Sequence, residues 1–258
     1  MNFKERISIQ FTNLTKTDKK ISHCLMQHPE YLTDHSVQAA AKLIETSPAA
    51  LVRLAKKIGY KGLADFKIDL EKYGQNKPER AESKDVSLVQ RVLDNYRENI
   101  DLIQSQLDEN QMKAIADLIL TAQRVKILGI GSSGLRAEEM VYYLLYQDIY
   151  TESVTSKTKM LYLARNLGSE DVLIFYTVSG NKDLADLFVA ARAAGAKVIV
   201  ITMVASSYVT KYADQIVILP SNLQALSNQI GDFYQLDNRS QFSIFSEILA
   251  AYINQRLK

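Results

Sequence analysis

The sequence predicts an all-α N-terminal domain followed by an α/β domain built on a three-layer, doubly wound parallel sheet. Three observations predict it. Residues 1–73 carry helical periodicity throughout. Residues 74–80, Gly-Gln-Asn-Lys-Pro-Glu-Arg, are polar and breaker-rich. From Arg124 onward, short apolar runs alternate with helical segments, the pattern of parallel βαβ units.

Bulk properties agree. A chain of 258 residues with 47% hydrophobic and 23% charged residues holds enough apolar material for two cores. Its single cysteine, Cys24, excludes a disulfide or a thiolate metal cluster within one chain. The opening MNFKERISIQFT is charged before it is apolar and does not read as a secretory leader. The longest apolar stretches, Val172–Val178 and Ala196–Ala205, fall far short of a membrane span. The expectation is a soluble cytoplasmic protein with no membrane partner.

The elements follow in order. Thr15–His28 has a TxxD helix start and apolar Ile21, Cys24 and Leu25 on one face, and Pro29 ends it. Ser36 or a neighbour caps a helix over Val37–Ile44. Ser47 then serves as N-cap and Pro48 as first residue of a helix running to Ile58, stopped by Gly59. Another helix runs through Phe66 to Tyr73. Val86–Leu107 and Asn110–Ala122 are amphipathic helices leading into the second domain. Strands are expected at Val125–Gly131, Val172–Val178, Lys197–Met203 and Gln215–Leu219, with a weaker one near Asp148–Val154. The expected domains are 1–77, a connecting segment 78–106, and 107–258.

The net charge of +2 conceals an asymmetry. Residues 1–77 hold 13 Lys and Arg against 8 Asp and Glu, and the remainder holds 18 against 21. A basic small domain joined to a mildly acidic one points to a polyanion partner for the first. Between Thr46 and Ala64 there is no acidic residue, while Arg53, Lys56, Lys57 and Lys61 all fall there. A short helix, a tight break and a helix opened by Ser-Pro match helix-turn-helix geometry, in which the second helix enters the major groove. Arg53, Lys56 and Lys57 share the side opposite Leu51, Leu54 and Ile58, and small Ala49 and Ala50 allow close approach to a duplex. By composition alone, a merely solvated basic face accounts equally well for these charges.

In the second half, Gly129, Gly131 and Gly134 follow a strand and open a helix, with Glu152 further on. Taken literally, this is the dinucleotide fingerprint, but amides at a helix N-terminus receive any phosphate. The strand at Val172–Val178 runs into Thr177-Val-Ser-Gly-Asn181-Lys182, and Ser206 follows Lys197–Met203. Ligands sit beyond the carboxyl ends of parallel strands. These ends present Gly131, Ser132, Ser133, Thr177, Ser179, Gly180, Asn181, Lys182 and Ser206, a cup of hydroxyls and amides suited to a phosphate on a polyhydroxy chain. It offers little apolar surface for an adenine or nicotinamide ring, so no cofactor is expected.

Leu14–Tyr73, including Ser47–Arg53 and Lys57-Ile-Gly-Tyr-Lys-Gly62, resembles the N-terminal domain of the RpiR family of transcription regulators. Leu63 departs from that family's pattern, standing where an aromatic is usual, and so do Ala50 and Leu54. Residues from Arg124 to Leu257 resemble a SIS (sugar isomerase) domain, with GSSG at 131–134 and TVSGN at 177–181 matching its two phosphosugar loops. Lys211-Tyr-Ala-Asp214 and Asn238-Arg-Ser240 match further landmarks. Thr177 and Lys182 replace the first and last hydroxyl positions of the second loop, and Met203 and Tyr208 also depart. The resemblance implies a non-enzymatic regulator of carbohydrate metabolism that reads a palindromic DNA operator through Ser47, Ala49, Ala50, Arg53, Lys56, Lys57 and Lys61. It implies a phosphosugar effector and a homodimer or homotetramer.

Two alternatives remain at this point: a phosphosugar isomerase whose basic N-terminus mediates assembly, and a dinucleotide-dependent redox sensor. Isomerisation needs a base for the proton alpha to the carbonyl. The three histidines, His23, His28 and His35, all lie in the N-terminal domain, which leaves Glu138 or Glu139.

Overall fold

The computed structural model describes residues 2–75, 87–178, 185–204, 211–221 and 240–258, with the side chains of Thr12 and Arg91 excepted. Two compact units divide the chain, and the break between Asn99 and Ile100 falls inside one helix.

The first unit is helical: α1 Phe3–Gln10, a 3-10 turn Phe11–Asn13, α2 Lys16–Gln27, α3 Glu30–Thr33, α4 Val37–Leu43, α5 Pro48–Lys57 and α6 Leu63–Gln75. Local chemistry sets the starts. Asn2 with Glu5, and Thr15 with Asp18, form reciprocal capping boxes that satisfy the free amides of α1 and α2. Ser36 Oγ accepts from the Ala39 N–H at 3.3 Å, and Ser47 Oγ accepts from the Ala50 N–H at 3.2 Å. Between α4 and α5 the chain turns through Glu45 at φ 54°, a left-handed conformation uncommon outside glycine. The turn closes with the Thr46 N–H donating to the Ala41 carbonyl at 2.8 Å. Ile21, Leu25, Leu32, Leu51, Leu54, Phe66 and Leu70 have no solvent exposure and form the core of this unit.

Helix α7 spans Leu88–Gln106, and Asp108 caps α8, Glu109–Thr121, through the Gln111 N–H at 2.8 Å. The second unit is then β1 Arg124–Leu128, α9 Ser132–Leu145, β2 Glu152–Val154, α10 Lys157–Leu163, β3 Asp171–Thr177, α11 Ala185–Ala194, β4 Lys197–Thr202, β5 Gln215–Ile218 and α12 Ser240–Leu257. The described strands form one parallel sheet in the order β2-β1-β3-β4-β5. All seven residues of β3 are buried, as expected for a central strand covered on both sides. Leu128, Leu173, Phe175, Val198 and Val200 pack beneath α10 and α11, against Met160, Leu187, Phe188 and Ala191. The residues between them face the other way, where Tyr176 meets Phe242 of α12 edge-on at 5.6 Å. The three-layer arrangement and each expected strand are present.

At their amino ends β1 and β3 are clamped together. Arg124 Nε and Nη2 each donate at 2.7 Å to the two oxygens of Asp171, its neighbour in register, and the Gly168 N–H adds a third bond to that carboxylate.

Candidate functional site

The first candidate surface is α5. About 3.6 residues per turn place Ala50, Leu51, Leu54 and Ala55 inward, and all four are buried. Ala49, Val52, Arg53 and Lys56 occupy the opposite side. Ala49, Arg53 and Lys56 are exposed and Val52 is half-buried. Arg53 and Lys56 make no hydrogen bond or ion pair among the described residues, so their charges are available to a partner. Ser47 is exposed while its hydroxyl caps the helix, and Lys61 is exposed in the turn beyond.

Two expected contacts are placed differently. Ala50 lies in the core at 4% exposure, because position 50 is one turn before Leu54 on the same inward row. Lys57 does not extend freely: its Nζ donates to Asp18 Oδ2 at 2.6 Å, tying α5 to the capping box of α2. Burial alone would raise the Asp18 carboxyl. The Lys57 hydrogen bond, followed by those from the Thr15 N–H and hydroxyl, outweighs it and holds the carboxyl below its ordinary value.

Sequence reasoning did not find Arg6. Its guanidinium lies 4.3 Å from the Tyr60 ring centroid and donates to the Ile58 and Gly59 carbonyls at 3.4 and 3.1 Å. A cation thus satisfies the carboxyl end of α5 from α1, across more than fifty residues of sequence. Glu45, the acid nearest the turn, is held by Lys20 at 2.8 Å, and Asp69 accepts from the Tyr60 hydroxyl. Glu45 is thus paired with a cation, and Asp69 has a neutral donor within the domain.

The second candidate site lies where β1 and β3 leave the sheet. The order β2-β1-β3 sends the chain from β1 to one side and from β3 to the other, which makes the crevice between their carboxyl ends a topological switch point. Leu128 is in register with Phe175, so the two loops emerge side by side. At the mouth Gly131 (φ 63°, ψ −129°) precedes α9, and no side chain among the described residues caps that helix. Its first amides form an uncapped, electropositive end. Ser132 is half-buried, and Ser133 and Thr177 are buried. Gly129 and Gly134 have a packing role: a Cβ on Gly129 would lie 2.3 Å from the Ser133 carbonyl oxygen, and one on Gly134 would lie 3.1 Å from Gly129 O. The glycines at 129 and 134 let strand and helix touch, and the one at 131 makes the turn. Ser179, Gly180, Asn181, Lys182 and Ser206 lie outside the described residues.

Known proteins agree with both halves. Residues 1–77 match the helix-turn-helix domain of the rpiR family, and residues 118–231 match the SIS domain. The chain thus joins a helix-turn-helix domain of the rpiR type to a SIS domain. An uncharacterised HTH-type transcriptional regulator of Haemophilus influenzae is 28% identical over 232 residues, covering 84% of this chain and 79% of its own. The NanR protein of Vibrio vulnificus, solved in complex with ManNAc-6P, matches 98% of this chain and 92% of its own at a TM-score of 0.53 and 14% identity. The sugar isomerase domain of an RpiR transcription factor from Sphaerobacter thermophilus matches 64% of this chain and 89% of its own, with a TM-score of 0.55 and 19% identity. With these two solved structures the likeness is one of fold.

The carboxylates that an isomerase would need lie on α9. Glu138 is exposed. Glu139 accepts from Arg136 Nη1 at 3.1 Å and from the Ser243 hydroxyl at 2.7 Å, and Tyr143 approaches at 3.5 Å. The Tyr143 hydroxyl donates to Glu247 at 2.9 Å, and its pKa is pushed up to about 12, first by burial and then by that hydrogen bond. This network braces α9 against α12. Two cavities, of about 310 and 280 Å³, open near the amino ends of the strands, at Arg124 with Asp171 and at Lys197 with Asp214, away from the switch point. Their acids are paired with cations, Arg124 with Asp171, Lys126 with Glu152, and Lys197 with Asp214. No described helix is long and apolar enough to cross a membrane.

Proposed function

We propose that this RpiR-family regulator binds a palindromic operator through the outward row of α5 and that a phosphorylated sugar at the β1–β3 switch point controls that binding. The observation that carries the proposal is the pairing of two surfaces in one chain. One is a helix-turn-helix whose second helix offers Arg53 and Lys56, unpaired among the described residues; the other is a helix N-terminus at the crevice of a SIS domain that no described side chain caps. Arg53 is shaped for a bidentate contact with guanine, and Lys56 and Lys61 suit phosphates. Ser47 and Ala49 lie at the end of the helix that enters the groove first.

In this reading residues 1–77 read DNA, 78–106 connect, and 107–258 bind the effector. The Gly131 turn with Ser132 and Ser133 receives the phosphate, and Thr177, with the loop that follows it, receives the sugar. A homodimer sets the spacing of two reading helices, and the effector shifts that spacing by as much as its affinities for two states differ. ManNAc-6P, which NanR of Vibrio vulnificus binds, indicates the ligand class to try first. In this reading the protein works in the cytoplasm without catalysis, and Glu139, engaged by Arg136 and Ser243, braces α9 against α12.

Fluorescence anisotropy of the full chain on DNA from upstream of its own gene tests this, across a salt series, with a phosphosugar panel and with Arg53→Ala. The expected result is sequence-selective binding that weakens in Arg53→Ala and shifts with one sugar phosphate. Binding that depends on salt alone and ignores sequence would sink the proposal and direct attention to isomerase activity.

A further inference from the structure

The outward row of α5 contains two apolar residues outside the core cluster. Ala49 is exposed, and Val52 is half-buried yet absent from the core cluster and from the partly buried residues packed against it, which are Tyr31, Val37, Leu63 and Tyr73. A β-branched side chain on a helix surface costs helix propensity, and the exposed part of Val52 leaves apolar surface open to a partner. Val52 lies between Ala49 and Lys56 at i, i+3 and i+7 spacing, one residue from Arg53. The stretch itself is cationic: no acid occurs from Thr46 to Ala64, and Glu45, just before it, is paired with Lys20. That charge selects a polyanion as the occupant of this face.

In the major groove the C5 methyl of thymine is the apolar mark on a base edge, and Ala-sized and β-branched methyls are what contact it. In a helix-turn-helix the amino-terminal residues of the second helix meet base edges. Ala49 and Val52 lie in that half of α5, and Lys56 lies beyond it. We propose that Ala49 and Val52 read thymine methyl groups adjacent to a guanine read by Arg53, so that each operator half-site carries G beside T at fixed spacing. The proposal rests on the reading of α5 as the DNA-contacting helix and adds what sequence it selects.

The test uses the full chain and duplexes it selects from a randomised library. Each thymine of the selected half-site is replaced in turn by deoxyuridine, which removes only the C5 methyl. One or two positions next to the guanine should lose affinity by about threefold to fivefold, the scale of one buried methyl. Val52→Ala should abolish the discrimination at one of these positions, and Val52→Thr, which keeps a methyl, should retain part of it. Unchanged thermal midpoints in both variants separate this from misfolding. Selective DNA binding that is indifferent to every deoxyuridine, or losses that persist undiminished in Val52→Ala, overturns the methyl reading and leaves DNA binding by α5 standing. Failure to select any sequence overturns both.

Discussion

Lys57 donates to the Asp18 carboxylate at 2.6 Å, so the last residue of α5 is pinned to the first turn of α2. The same carboxylate accepts from the Thr15 N–H at 2.9 Å and completes the α2 capping box. One acid therefore fixes the start of one helix and the far end of the helix proposed to read DNA. The basic residues of α5 divide accordingly, with Lys57 serving the fold and Arg53 and Lys56 facing outward.

Lys57→Met should lower the stability of the N-terminal domain by about 1 kcal/mol, since a partly buried carboxylate loses a charged donor while solvent reaches part of the gap. Arg53→Ala should leave the thermal midpoint unchanged and weaken operator binding by about tenfold or more. Melting curves and anisotropy on the same two variants check the division; the opposite pattern would refute it.

Acid should act on this joint. The Asp18 carboxyl is held below its ordinary value of 3.8, so its contribution is fully present above that value and disappears as pH falls through the lower, folded-state pKa. Urea unfolding between about pH 5 and pH 2.5 should show a stability loss that is shallower in Asp18→Asn. Equal slopes in the two proteins would remove the carboxyl from the explanation.

The glycines around the cup should respond differently. In Gly129→Ala the new methyl meets the Ser133 carbonyl at 2.3 Å, so strand and helix must separate and the SIS domain should fail to fold or melt far earlier. In Gly131→Ala nothing lies within reach of the methyl, and only the backbone conformation (φ 63°, ψ −129°) is strained, at about 1–3 kcal/mol. That variant should stay folded and show a smaller thermal shift with an activating or inhibiting sugar phosphate than the parent. Circular dichroism with thermal-shift assays distinguishes the two.

Lys56→Ala should weaken binding to all duplexes alike and reduce the slope of log affinity against log salt by about one. A loss confined to one sequence would assign Lys56 to a base edge.

Local rules made much of this protein readable in advance. Thr15, Ser36, Ser47 and Pro48 mark helix starts because their caps act within three residues. The apolar runs at 172–178 and 197–203 read as buried strands because a central parallel strand is covered on both faces. Ala50 is ambiguous in the sequence because small size at a helix start suits either a duplex or a core, and the inward row shared with Leu54 places it in the core.

The sequence by itself determined the order of helices and strands, the acid-free basic stretch at 46–64, and the glycine-rich exit from β1. Each of these rests on periodicity, capping or composition within a few neighbouring residues. The tertiary structure decided that Lys57 belongs to Asp18, that Arg6 satisfies the carboxyl end of α5, and that β1 and β3 lie side by side and open a switch point. Those choices depend on which distant groups are brought within 3 or 4 Å after folding, and hydrogen bonds spanning 39 or 53 residues leave no local trace in the chain.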